Sequence, residues 1–211
     1  MEITESCNLR CSYCIFDEKN QDFRNHSFRT MKVEIALQEI DDFLAKSIFP
    51  NAISFFGGEP LLAFPLIQEI VHYSEEVAQK LGKTLVFGLT TNGTLFNIDI
   101  LHFLLKHNFR VIISLDGPRE VHNLYRKFAF SENSSFDQII KYFDFFQKYA
   151  SEGHFACTAT LAPPIHFKER NHFFRDIYET LPLISCNFLR KTYQCPSKPH
   201  SCSIYFNRYQ I

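Results

Sequence analysis

The feature that most constrains the fold is an alternation of short apolar runs with longer segments of helical periodicity. The runs are continuous in apolar residues, as expected of parallel strands that are covered on both faces. They predict strands at residues 52–56, 84–91, 110–115, 154–161 and 183–188, preceded by a short first strand at 2–4. This repetition predicts an α/β fold with a parallel sheet, either closed as a barrel or open.

Five amphipathic segments lie between the predicted strands. One of them ends at Gly82, which can adopt the left-handed conformation found after a helix. Thr30, Asn97 and Ser135 are placed to cap the helices that follow them. The apolar stripe after Ser135 extends to Phe146 and predicts one continuous helix.

Charge and apolar content limit the partners that we expect. The chain has 22 basic and 23 acidic residues, which gives no reason to expect a nucleic-acid or anionic-membrane partner. No apolar run approaches the roughly 18 residues of a membrane span, and the first residues lack a secretory signal. We therefore expect a soluble, cytoplasmic protein. In that reducing compartment, its seven cysteines indicate metal binding or redox chemistry rather than disulfides.

Four motifs each follow a predicted strand, at residues 7–14, 57–60, 92–93 and 116–118. The loops after parallel strands meet at the carboxyl-end edge of a sheet or barrel. We therefore expect the four motifs to converge on one face.

The first motif, SCNLRCSYCIF, contains Cys7, Cys11 and Cys14. This C-x3-C-x2-C spacing lets one loop direct three thiolates at a small inorganic centre. Three ligands are one short of four, which leaves open a zinc ion with a distant ligand, a 4Fe-4S cluster with one open iron, and unliganded thiols. Structural zinc sites typically use two short ligand pairs far apart in sequence, so the single triplet favours the cluster.

The segment CNLRCSYC resembles the cluster loop of radical S-adenosylmethionine (SAM) enzymes. The resemblance implies that Cys7, Cys11 and Cys14 hold a 4Fe-4S cluster. It also implies that the amino and carboxylate groups of SAM chelate the fourth iron, and that Tyr13 contacts the adenine side of SAM.

The second motif, GGEP, follows the strand predicted at 52–56. Adjacent glycines allow close approach to a ligand, and Glu59 offers an acceptor for an ammonium group, although an ordinary strand-ending turn has the same sequence character. Beside the cysteine triplet, the stretch resembles the family's GGE motif. The resemblance implies that Gly57, Gly58 and Glu59 hold the amino group of SAM.

The stretch ISLDGPREVHNLYR resembles a segment of the branch of radical SAM enzymes that modifies peptides and proteins. That branch includes the anaerobic sulfatase-maturating enzymes and the SPASM-type maturases of ribosomal peptides. The resemblance implies that Ser114 and Arg126 contact the carboxylate end of SAM, where a guanidinium supplies a charge-assisted partner. We expect Asp116 and His122 to hold this loop.

The family implies a partial (β/α)6 parallel barrel. It also implies reductive cleavage of SAM to a 5′-deoxyadenosyl radical that abstracts hydrogen, acting on a peptide or protein substrate with a flavodoxin- or ferredoxin-type electron donor. No catalytic acid or base is assigned. Two alternatives remain, namely a non-catalytic fragment that keeps the cluster- and SAM-binding fold and a zinc-binding structural module.

We expect a radical SAM core domain at residues 1–190 and a C-terminal tail at 191–211. The tail contains Cys195 and Cys202, whose spacing matches no auxiliary-cluster motif. We therefore expect the chain to lack the C-terminal auxiliary-cluster domain that is common in this branch.

Overall fold

A computed structural model describes residues 1–16, 25–47, 51–150, 153–164, 166–178 and 183–188. Eight strands lie within these ranges: β1 (Glu2–Thr4), β2 (Leu9–Cys11), β3 (Asn51–Gly57), β4 (Leu85–Thr91), β5 (Phe109–Ser114), β6 (Arg126–Phe128), β7 (Phe155–Leu161) and β8 (Leu183–Phe188). The same ranges contain seven α-helices: α1 (Val33–Lys46), α2 (Phe64–Lys80), α3 (Ile98–Lys106), α4 (Arg119–Tyr125), α5 (Ser135–Ile140), α6 (Phe143–Ala150) and α7 (Phe167–Tyr178). A 3-10 turn at Pro60–Ala63 leads into α2.

Six of the strands form one sheet, in the order β1, β3, β4, β5, β7, β8. Every neighbouring pair is parallel, and β1 and β8 lie at the two ends of the order. The predicted α/β class is therefore confirmed as a parallel six-stranded sheet wrapped by helices. The six predicted strands agree with the observed ones to within one residue at each end. No helix among the described residues is long and apolar enough to cross a membrane.

A second, antiparallel pair was not predicted. The short strands β2 and β6 pair so that Cys11 lies opposite Arg126. Three residues are too few to show a strand pattern, so no local signal predicts this pairing. The pairing brings the cysteine loop beside Arg126, far away in sequence.

Two of the three predicted helix caps are wrong. Thr30 does not cap α1, because it lies opposite Thr4 in an isolated bridge, and Lys32 takes the cap position without a side-chain hydrogen bond. Ser134, rather than Ser135, accepts the hydrogen bond from the Asp137 N–H. The third prediction is confirmed, since the Asn97 side chain accepts from the Ile100 N–H at 2.8 Å.

The helix predicted through Phe146 is two helices, because α5 ends at Ile140 and α6 begins at Phe143. In α6, Phe146 packs against Phe96 and Phe155, with ring centroids 5.4 and 5.2 Å apart. The break between α5 and α6 thus coincides with tertiary packing, which local hydrophobic periodicity does not predict.

The centre of the sheet is a stack of three phenylalanine rings from β3, β4 and β5. Phe55, Phe87 and Phe109 are almost wholly buried, and their centroids lie 5.3 to 6.4 Å apart. Such rings contribute stability both by removing apolar area from water and through their mutual contact. The stack therefore fixes the spacing of the strands whose ends carry the predicted motifs.

Phe87→Ala should lower the free energy of unfolding by about 3–5 kcal/mol, because it leaves a cavity beside the other two rings of the stack. Phe130→Ala is the matched control, since Phe130 is 90% exposed and its loss should change stability by no more than about 0.5 kcal/mol. Guanidinium-induced unfolding followed by circular dichroism measures both. Equal effects of the two substitutions would contradict the role given to the stack.

Candidate functional site

One cavity of about 200 Å³ lies at the carboxyl ends of the strands. It brings together every predicted site residue except Glu59: Cys7, Cys11, Tyr13, Cys14, Gly57, Gly58, Ser114 and Arg126. The motifs that follow β1, β3 and β4 therefore meet at this cavity, and the motif after β5 adjoins it, since Asp116 binds the Tyr13 hydroxyl. The rest of the wall combines the apolar side chains of Leu9, Phe16 and Phe56 with four polar residues, His26, Thr90, Thr91 and Asn92.

The three cysteines lie on the wall of this cavity and form no disulfide. Burial raises the pKa of Cys7 to about 11 and that of Cys11 to about 12. Polar groups lie next to two of the sulfurs. The Leu9 N–H donates to Cys7 Sγ at 3.4 Å, Asn92 Nδ2 donates to the same sulfur at 3.9 Å, and His26 Nε2 lies 3.7 Å from Cys14 Sγ.

The arrangement of the thiols is compatible with a cluster. Within the described ranges, no group of three or more His, Cys, Asp or Glu side chains could hold one metal ion. The three thiols instead line a shared cavity, which suits a centre with several metals and one ligand from each cysteine. N–H groups directed at sulfur are the kind of contact that tunes such a centre.

Sequence reasoning assigned no role to Asn92 or His26. Asn92 lies in a turn after β4, at the predicted edge, and its amide also donates to Asn8 Oδ1 at 2.8 Å. His26 gave no local signal, because contacts distant in sequence bring it to the cysteine loop. The Glu5 N–H donates to the Arg29 carbonyl, and the Ser6 hydroxyl donates to the Ser27 carbonyl.

The glycine pair is required by contact with the backbone that precedes the cysteine loop. A Cβ on Gly58 would overlap the Ser6 carbonyl oxygen, and one on Gly57 would overlap that of Thr4. The Gly58 N–H donates to the Thr4 carbonyl at 2.8 Å, and the Glu59 N–H donates to that of Ser6 at 2.7 Å. Both glycines also line the cavity, but their missing side chains make room for protein backbone.

Gly58→Ala should destabilise the chain by about 3 kcal/mol, because the added methyl group collides with a backbone atom that cannot rotate away. Gly82→Ala is a control for conformational strain alone. Gly82 has a φ of +65° but no atom within 4 Å of an added Cβ, so it should cost about 1 kcal/mol. Thermal and chemical unfolding of both variants test this difference. A Gly58→Ala variant no less stable than Gly82→Ala would rule out the close approach.

Glu59 is fully buried, and its carboxylate is directed at the end of β4. It accepts hydrogen bonds from the Thr91 hydroxyl at 2.7 Å, the Asn92 N–H at 2.7 Å and the Leu61 N–H at 3.0 Å. Thr91 and Asn92 both line the cavity, whereas Glu59 does not. The carboxylate therefore braces two residues of the cavity wall. Burial outweighs these hydrogen bonds and raises the pKa of Glu59 to about 7.

This raised pKa predicts that stability falls as the pH rises. The folded chain binds the Glu59 proton more tightly than the unfolded chain, so its contribution is complete below the ordinary pKa and is lost as the pH passes about 7. The free energy of unfolding should decline by on the order of 2 kcal/mol between about pH 5 and pH 8.

Glu59→Gln should flatten that decline, because the amide does not titrate. The exposed Glu69 provides the matched control. In Glu69→Gln, the free energy of unfolding should decline with pH as steeply as in the wild type. Urea unfolding at several pH values gives all three slopes. If Glu59→Gln retains the full wild-type slope, Glu59 is not the titrating group.

Arg126 lies on the cavity wall in a buried ion pair with Asp116. Arg126 Nε donates to Asp116 Oδ2 at 2.9 Å, and Nη2 donates to Oδ1 at 3.3 Å. The Tyr13 hydroxyl also donates to Oδ2, and Arg126 Cζ lies 5.4 Å from the centre of the Tyr13 ring. Burial alone would raise the pKa of Asp116, but the Arg126 guanidinium, His122 and the Thr160 N–H together offset burial and hold the pKa below its ordinary value.

Comparison with known proteins gives matches over most of the chain. The family model described as the Radical SAM superfamily matches residues 1–177. A cysteine-type anaerobic sulfatase-maturating enzyme of Clostridium perfringens is 28% identical over 188 residues, which cover 87% of this chain and 50% of that enzyme. A serine-type anaerobic sulfatase-maturating enzyme of Bacteroides thetaiotaomicron is 30% identical over 123 residues, or 57% of this chain and 29% of that enzyme.

Solved structures support the same fold. The structure described as native anSMEcpe with bound AdoMet aligns with a TM-score of 0.75 at 24% identity, over 89% of this chain and 50% of that one. The same protein with bound AdoMet and Cp18Cys peptide aligns with a TM-score of 0.73 at 25% identity, over 89% and 48%. The chain spans about half the length of the sulfatase-maturating enzymes of Clostridium that it matches.

Proposed function

Because the chain belongs to the radical SAM superfamily, we propose that its cavity binds a 4Fe-4S cluster and SAM and that the chain cleaves SAM reductively. When bound, the cluster and SAM supply the cleavage that yields a 5′-deoxyadenosyl radical for hydrogen abstraction. The single observation that carries the proposal is that the cysteine triplet, the glycine pair, Ser114 and Arg126 all line the same cavity.

Each residue has a distinct part in this proposal. Cys7, Cys11 and Cys14 hold three irons and leave the fourth for SAM. Ser114 offers a hydroxyl and Arg126 a cation to the carboxylate of SAM. These side chains lie on strands or on the loops directly after them. They should therefore lose little conformational entropy when the ligand binds.

The remaining assignments concern the amino and adenine ends of SAM. We assign the amino end to the loop of Gly57, Gly58 and Glu59, with the Glu59 carboxylate acting through the two cavity residues that it braces. Tyr13 lies on the cavity wall and presents a flat ring for the adenine side. The apolar part of the wall excludes water, which protects a reactive intermediate from side reactions.

The substrate proposed is a peptide or protein. The relatives' names support it, since the matched enzymes are described as sulfatase-maturating and one aligned structure contains a peptide. A flavodoxin- or ferredoxin-type protein is the proposed electron donor, in the cytoplasm. We propose residues 1–190 as the core domain, whereas the tail at 191–211, with Cys195 and Cys202, lies outside the described residues.

Anaerobic reconstitution should load about four irons and four sulfides per chain. Cys11→Ser should abolish loading, because one of three ligands is lost. Cys157→Ala is the matched control, since Cys157 is a fully buried cysteine in β7 that forms no disulfide and does not line the cavity. Elemental analysis with ultraviolet-visible and electron paramagnetic resonance spectra measures the outcome. A cluster that survives Cys11→Ser, or about one zinc with no iron or sulfide, would contradict the proposal.

Dithionite reduction then separates an enzyme from a non-catalytic fragment. The loaded wild-type chain should release 5′-deoxyadenosine and methionine from SAM in equal amounts. A chain that binds the cluster and SAM but releases neither product would limit the function to binding.

A further inference from the structure

Asp116, in the loop after β5, is the residue on which two of the proposed SAM-binding side chains converge. Its carboxylate is fully buried and does not line the cavity. Besides Arg126 and the Tyr13 hydroxyl, it accepts the Thr160 N–H at 2.9 Å through Oδ1. One carboxylate therefore links the cysteine loop, β6 and β7 to the end of β5.

Asp116 is itself held in place from its own loop. Its N–H donates to Nδ1 of the fully buried His122 at 3.3 Å. Gly117, with a φ of +141°, lets the chain turn directly after the carboxylate. With its own backbone anchored, Asp116 can set the positions of the side chains that it binds.

The ion pair leaves part of Arg126 available. A guanidinium has five N–H donors, and Asp116 accepts two of them. Nη1 makes no hydrogen bond to the part of the chain that the structure describes, and Arg126 lines the cavity. Asp116 thus neutralises the buried cation while one edge of it remains open to a carboxylate.

Tyr13 is fixed by the same carboxylate. Its hydroxyl is bound to Asp116, and its ring contacts Arg126 and Tyr125, whose ring centroid is 5.9 Å away. Loss of the hydroxyl contact would leave the ring free to tilt on a loop of the cysteine motif. The orientation of Tyr13 and that of Arg126 therefore depend on one group.

We propose that Asp116 is a positioning residue, whose carboxylate holds Tyr13 and Arg126 in the orientation in which they receive SAM. This inference rests on the proposed function and adds to it a residue that touches neither the cluster nor SAM. It concerns affinity for SAM and leaves cluster loading to the cysteines.

Asp116→Asn tests the proposal in the full, cluster-loaded chain. The amide keeps the size of the side chain but removes the charge and replaces one acceptor oxygen by a donor that faces other donors. We expect the Kd for SAM, measured by anaerobic calorimetry, to rise at least tenfold with iron and sulfide content unchanged. In turnover, KM for SAM should rise by a larger factor than kcat falls.

Two further variants make the test specific. Asp137→Asn breaks an equivalent bidentate pair at the surface, where Asp137 accepts from Arg119 Nε and Nη2, each at 2.8 Å, and it should change the Kd less than twofold. Tyr13→Phe removes only the hydroxyl that binds Asp116 and keeps the ring and the ion pair. It should weaken SAM binding several-fold without loss of iron.

The outcomes separate this inference from the function on which it rests. A wild-type chain that binds SAM while Asp116→Asn binds it within twofold of wild type overturns the inference alone. If Asp116→Asn fails to fold or to load iron, Tyr13→Phe decides, and unchanged affinity or lost iron in that variant overturns the inference. A wild-type chain that binds no SAM overturns both.

Discussion

The site depends on the close backbone approach between the end of β3 and the segment that follows β1. At Gly57 and Gly58 the two segments are near enough that no side chain fits between them, and paired N–H and carbonyl groups bridge them. Cys7 follows Ser6, one of the residues held in this contact. The first cysteine is therefore fixed relative to the sheet by backbone hydrogen bonds, and the rest of the loop extends from that fixed point.

The far end of the cysteine loop is held differently. The β2–β6 pairing places Cys11 opposite Arg126, and the buried Asp116 carboxylate binds both Arg126 and the Tyr13 hydroxyl. Backbone contact secures one end and a buried ion pair secures the other. Breaking such a pair from one side leaves an uncompensated charge away from water, so the arrangement tolerates little change at either partner.

The fold could be read from the sequence because its signals are local. Continuous apolar runs gave the strands, and the rule that parallel strands end at one edge placed the motifs together. The sequence does not show why glycine is required at residue 58, because the carbonyl oxygen that would collide with a side chain there belongs to Ser6, which is distant in sequence. The division of the helix after Ser134 and the approach of His26 to Cys14 also depend on contacts between distant segments. Hydrophobic periodicity along the sequence does not predict such contacts.

The net charge of the cavity depends on the protonation of its thiols and on the ion pair of Arg126 with Asp116. Burial keeps the Cys7 and Cys11 thiols neutral near pH 7, and Asp116 offsets the charge of Arg126. A protein that buried three thiolates without a metal would carry an uncompensated desolvation cost, so binding of the proposed cluster would release the thiol protons. The N–H groups of Leu9 and Asn92 beside Cys7 Sγ are already directed at a sulfur that gains charge only then.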